Sequence, residues 1–294
     1  MVERSPWFDA FCHLMLVLGV AAMCLPLYYA VIAATHSLDD VLRVPMPLTP
    51  GKELLNNIQT ALAQPDFVRQ LINSVILAVG VTVVKIAASF TAAFAVTYFN
   101  YRFRALAFWM IFSTLMLPVE VRIVPTYEVA ANVFAPLNWL LGGMIEVDLQ
   151  WNLLNTYTGL IMPLAASATG TFLFRQLFLT VPDELLEAAK LDGAGPVQFA
   201  RDVLWPISRT NVIALTVILF VYGWNQYLWP MLIITEPSML TSVVGLAKTL
   251  PGVSDSVPHW HTAMASTLLI SLAPILVVLV LQRWFVKGLV DAEK

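Results

Sequence analysis

Long apolar runs alternate along this chain with shorter polar stretches. A helix needs about 20 apolar residues to cross the hydrocarbon of a bilayer. On that measure the pattern predicts spans at 10–34, 71–98, 105–125, 156–178, 210–234 and 262–285. In lipid, every backbone N–H and C=O must find its partner within the segment, so the spans are predicted to be helices rather than strands. Most carry one proline: Pro26, Pro118, Pro163, Pro230 or Pro274. Neighbouring helices can satisfy the carbonyls that such kinks set free. The expected fold class is all-α integral membrane, with six transmembrane helices in a single domain over 1–294. The first apolar stretch is too long for a signal-peptide core, so a retained span is expected there.

Composition agrees with lipid as the solvent. Apolar residues make up 59% of the chain and charged residues only 12%, about half the usual charged share of a soluble domain. The net charge of −3 gives no reason to expect a nucleic-acid partner. Cys12 and Cys24 both fall in the first apolar stretch and are read as free thiols. Positive residues decide the orientation. Arg4, Arg102, Arg104, Arg175, Lys190, Arg201, Arg209, Arg283, Lys287 and Lys294 fall on the N-terminal side of the membrane, against Arg43, Lys52, Arg69, Arg122 and Lys248 on the other, ten to five. Both termini are therefore predicted to be cytoplasmic.

The most informative segment lies between spans four and five. Residues 179–209 read LTVPDELLEAAKLDGAGPVQFARDVLWPISR, too polar for lipid and too patterned for disorder. Pro182 is predicted at the first helical position, with Asp183 and Glu184 complementing the helix dipole. Asp192-Gly193-Ala194-Gly195 stops that helix, and Gly193 suits a left-handed terminal position. Pro196 starts a second helix and Pro206 is expected to end it. Small and apolar side chains would then project from a bent helix pair. By pattern alone this is equally a knob for a partner's groove and an amphipathic loop lying on the membrane surface.

The spacing Glu187-Ala188-Ala189, three residues, Gly193, nine residues, then Val203-Leu204-Trp205-Pro206 resembles the EAA loop of bacterial ABC-import permeases. The family pattern has Ile where Val203 stands and Leu where the bulkier Trp205 stands. The resemblance implies a cytoplasmic coupling-helix loop at 179–209, seated in a cleft of a separate ATPase subunit. It assigns coupling to Glu187, Ala188, Ala189, Asp192, Gly193 and Pro206, with Glu187 and Gly193 foremost. It also implies a multi-pass protein of the bacterial inner membrane. Its partners would be a second homologous permease, two copies of the ATPase and a periplasmic solute-binding protein.

FSTLMLPVEVRI at 112–123, SATGTFLFRQLF at 167–178, YGWNQYLWP at 222–230 and the C-terminal QRWFVKGLVDAEK extend the resemblance over essentially the whole chain. They resemble the carbohydrate-uptake, maltose-type permeases, and most nearly the branch that imports glycerol-3-phosphate. The outer loop near 126–155 is longer than that family usually shows, by an aromatic piece around 134–151.

The residues can be weighed without the resemblance. No Gly-x4-Gly-Lys-Ser/Thr occurs, so ATP and Mg would be bound by another chain and this one would carry no cofactor. No catalytic constellation is found. His259 and His261 flank Trp260, where a metal would meet only two nitrogens, and an interfacial cluster is the blander reading. A phosphate-bearing cargo needs cations or N–H donors in a low-dielectric path. Lys85, mid-span, and Arg122, two residues from Glu120, are the candidates. A lysine at the bilayer centre costs roughly 2.5–3.5 kcal/mol, so Lys85 should face the bundle. It would there meet either a carbonyl or carboxylate of the partner subunit, or the ligand. Arg122 with Glu120 is either an interfacial anchor or a ligand gate. Trp224, Asn225, Gln226 and Tyr227 suit a polyol or sugar, or serve as hydrogen-bonding glue between helices. A neutral sugar or polyol is thus the alternative cargo. An intramembrane enzyme would need a Ser/His pair, a metal cluster or paired acids, and a secondary transporter would not need the loop at 179–209.

Overall fold

The structure, a computed structural model, describes residues 6–116, 119–141, 150–249 and 259–291. Among the described residues the secondary structure is helical, without strands. By contact the chain divides into two compact units, Met1–Val68 with Gly245–Leu272 and Arg69–Val244 with Ala273–Lys294.

In the first unit, α1 (Pro6–Ala34) is apolar around its whole circumference and exposes most of its length, as a helix bathed in lipid does. Only its end is buried, where Ile32 and Ala33 meet Met46 and Met264. The last carbonyls of a helix have no intrahelical donor. Here Asn57 supplies one, its Nδ2 donating to Ala34 O at 2.9 Å and to His36 O at 2.8 Å. The segment after α1 is an ordered excursion of two short helices, α2 (Leu38–Val41) and α3 (Leu54–Leu62). Ser37 caps α2 and donates to Asp40. That hydrogen bond, with Arg43 and His36 beside it, holds the Asp40 carboxyl below its ordinary range.

The second unit is organised on α4 (Phe67–Tyr98), 32 residues long. Leu77 and Val81 on its first half pack with Leu160, Leu164, Trp229 and Ile233. Ile86, Phe90 and Ala93 on its second half pack with Phe174, Phe178, Phe199, Leu204 and Leu215. The predicted third span is divided into α5 (Arg104–Ser113), prolonged by a tight turn to Met116, and α6 (Val119–Ala131). The outer excursion begins with α7 (Ala135–Leu141). Its base is closed by Asn132, whose side-chain oxygen accepts from the N–H groups of Phe134 and Trp151.

The predicted fourth span is broken. Residues Tyr157–Leu164, comprising α8 (Tyr157–Ile161) and a tight turn, meet α9 (Ala168–Thr180) at 51°. Pro163 lacks an N–H, and Ser167 caps the new helix by accepting from Gly170 N at 3.2 Å, which is why the run restarts rather than continues. The loop that follows holds α10 (Asp183–Leu191), α11 (Pro196–Phe199) and α12 (Trp205–Ile207). The predicted fifth span is α13 (Arg209–Trp224), then a turn at Asn225–Tyr227, then α14 (Leu228–Ile233). Next in the chain come α15 (Ser242–Thr249) and α16 (Trp260–Asp291), the latter with Pro274 inside it.

Two local expectations need correction. Pro182 caps α10 from outside the helix with extended ψ, and Asp183 is its first helical residue. Pro206 does not end the second loop helix. A π-turn at Ala200–Leu204, in which Trp205 N bonds Ala200 O, carries the helix through Pro206 to Ile207. The wider turn absorbs the donor that proline lacks, and the 74° bend comes at Ser208 instead.

Candidate functional site

Two places concentrate chemistry. The first is the bent helix pair at 183–207. Gly193 has φ +75°, a conformation that costs an L-residue about 1–2 kcal/mol. Its N–H donates to Lys190 O at 3.1 Å and that of Ala194 to Ala189 O at 2.9 Å. These two bonds make a Schellman ending. The second alanine of the EAA triplet therefore contributes its carbonyl to the turn that aims the next helix. Asp192 sits at the cap, its N–H donating to Ala188 O.

One side of this pair is fixed to the core. Leu204 and Phe199 are buried, Leu186 and Ala189 half-buried, and Phe90 of α4 stands edge-on to Trp205 with ring centroids 5.5 Å apart. The departure to tryptophan thus seats the loop against α4. The other side is open. Glu187 and Ala188 are exposed, and so are two large apolar residues, Leu191 at 90% and Val197 at 81%. The sequence pattern did not single out these two. The signal available was an aliphatic residue on each side of the glycine turn in a polar loop. Arg201 and Asp202 form a bidentate pair on the exposed surface at 2.7 and 3.1 Å, which keeps the Asp202 carboxyl below its ordinary range.

The second place is a cavity of about 290 Å3 lined by Lys85 of α4, Arg122 of α6, Tyr222 of α13, Ala166 to Thr169 at the break in the fourth span, and Thr114. Lys85 is 6% exposed. Its Nζ donates to Ala166 O at 3.1 Å and lies 4.4 Å from the centroid of the Tyr222 ring. The carbonyl that the sequence led us to expect on a partner is supplied by this chain. No acidic side chain among the described residues stands within ion-pair distance of Lys85 or Arg122. Ala168 and Thr169, the first two residues of α9, line the same wall, at the end of the helix where the dipole is positive. A space so lined attracts anions.

The other predicted positions do not join this cavity. The Glu120 side chain lies outside the described residues. Trp224 is buried and stacked on Phe220. Gln226 Nε2 donates to Tyr222 O at 3.2 Å, tying the turn at the end of α13. Asn225 and Tyr227 are exposed. The residue of this stretch that reaches the cavity is Tyr222, three positions before Asn225. His259 and His261 stack edge-on at 5.9 Å, and no group of three or more metal-ligating side chains occurs among the described residues.

A membrane-embedded helical unit with an anion-attracting cavity and an exposed helix pair tied into its core defines the membrane component of a transport system. Residues 59–291 match the family described as binding-protein-dependent transport system inner membrane component, and the chain belongs to that family. It is a multi-pass protein of the inner membrane. It is 47% identical to the sn-glycerol-3-phosphate transport system permease protein UgpE of Escherichia coli K12 over 300 residues, covering 100% of both chains. The UgpE of Yersinia pestis biovar Antiqua is 48% identical with the same coverage. In fold it is similar to a bacterial ABC transporter involved in the import of the acidic polysaccharide alginate, with TM-score 0.75 and 20% identity over 97% of this chain and 100% of that one.

Proposed function

We propose that this chain is the permease subunit of an ATP-driven importer for sn-glycerol-3-phosphate or glycerophosphodiesters. The observation that carries the cargo assignment is the cavity with Lys85 and Arg122 on its wall and no acid among the described residues to neutralise them. The full-length similarity to UgpE points the same way. Lys85, Arg122 and Glu120 belong to the substrate path, and the two cations hold the phosphate during passage. Trp224, Asn225, Gln226 and Tyr227 shape the path from its edge. The whole chain acts as one permease domain, since the family match at 59–291 runs through both compact units. Both termini face the cytoplasm, as the Lys and Arg distribution directs.

The helix pair at 183–207 is the coupling element. Glu187, Ala188, Ala189, Asp192, Gly193 and Pro206 shape it, and Leu191 and Val197 anchor it in a separate ATPase present in two copies. A second permease and a periplasmic binding protein complete the assembly, and ATP and Mg reside on the ATPase. Closure of the ATPase pair then rocks the helices between inward- and outward-facing arrangements. Uptake of labelled sn-glycerol-3-phosphate by the complex in proteoliposomes tests the reading. Glycerophosphodiesters should compete and glycerol should not. Equal competition by neutral polyols would favour the alternative cargo.

A further inference from the structure

The fourth span is broken at 165–167, and two side chains of α4 hold the carbonyls there. Lys85 Nζ donates to Ala166 O at 3.1 Å and Ser89 Oγ to Ser167 O at 3.2 Å. The donors are four residues apart and so share a helix face. Gly170 makes the approach possible, since a Cβ there would stand 2.5 Å from Ser89 Oγ.

The two tethers differ in kind. Ser89 is neutral, 1% exposed, and absent from the cavity wall. Lys85 is charged and lines the cavity, as Arg122 does. The ammonium–carbonyl bond has one ionised partner, whereas an ammonium–phosphate bond has two and adds the attraction of opposite charges. Ala166 also lines the cavity, so its carbonyl can be hydrated when Lys85 leaves. From the break, α9 runs to Thr180, and α10 begins at Asp183.

We propose that Lys85 is a positioning latch on the fourth span, released by the anionic group of the cargo. An anion in the cavity draws the ammonium from Ala166 O, the Ser89–Ser167 bond remains as the pivot, and the 51° angle between Tyr157–Leu164 and Ala168–Thr180 changes. That movement displaces α10, so the coupling helices register whether cargo is present. The latch rests on the anion-importer reading above.

The test uses the complete complex in nanodiscs. Cys12 and Cys24 are replaced by serine, and spin labels are placed at Thr158→Cys and Leu179→Cys, one on each side of the break. Saturating sn-glycerol-3-phosphate, or inorganic phosphate as the minimal anion, should shift the wild-type distance distribution. Lys85→Met should show the shifted distribution without ligand and should raise cargo-free ATP hydrolysis at least threefold. Lys85→Arg should restore the wild-type distances. The latch is overturned if the wild type transports labelled sn-glycerol-3-phosphate while its distances stay fixed. It is also overturned if Lys85→Met keeps wild-type distances and hydrolysis. If the wild type neither binds nor transports the anion, the cargo reading itself falls, and the latch with it.

Discussion

The exposed helix pair and the cation cavity both border α4, but they present opposite kinds of group. At the helix pair the glycine turn satisfies the carbonyls of Ala189 and Lys190, and two large aliphatic side chains, Leu191 and Val197, stand free. At the cavity the distinguishing groups are two cations, Lys85 and Arg122, with Lys85 held by a carbonyl and an aromatic face. Exposed aliphatic residues on a fixed turn suit a lasting protein contact, because burying them gains free energy without demanding exact polar partners. Cationic charge in a confined space suits a transient ion, because the attraction is strong but ends once the ion leaves and water returns. An aliphatic face and a cationic cavity on one chain thus suit different contacts, one lasting and one transient.

Substitutions can break that contrast. The largest effect is expected from Gly193→Pro. Proline fixes φ near −65°, against +75° at Gly193, and removes the N–H that donates to Lys190 O. ATP-driven uptake should fall by well over tenfold while the protein still inserts, as measured by transport against membrane abundance. Gly193→Ala meets no atom within 4 Å and should lose only about 1–2 kcal/mol of turn stability, with partial uptake.

Leu191→Asp should come next. Burying a leucine contributes about 1.5–3 kcal/mol, so the association of the permease with its ATPase should weaken tenfold or more in a pull-down titration. An unchanged affinity would remove Leu191 from the interface. Arg122→Ala should lower uptake of sn-glycerol-3-phosphate about tenfold, near 1.4 kcal/mol, and leave any neutral competitor unaffected. Equal losses would turn Arg122 into an anchor. Tyr222→Leu should be the mildest. It removes a cation–π contact of about 0.5–2 kcal/mol under Lys85 and should change anion uptake a few-fold.

The membrane, the helical class and the glycine turn at Gly193 were legible in the chain alone. Each of these depends on neighbours in the chain. An apolar run of fixed length decides lipid. One glycine between two short helices decides a left-handed turn, so the conformation of Gly193 follows from its local sequence. Which cations share a space, and which polar residues do not, came from packing. Lys85 and Arg122 are 37 positions apart, and they meet because α4 and α6 both border the break in the fourth span. Trp224 through Tyr227 looked equally promising as a string, but helix geometry buried one, tied another and turned two outward. Tyr222, hidden in the same string, reaches the cavity. The break itself was faintly legible in Pro163 and Ser167. The side chains holding it come from a helix some 80 residues earlier in the chain, at separations of 81 and 78 positions. Such partners are chosen by packing, and packing is a property of the folded whole rather than of any local stretch.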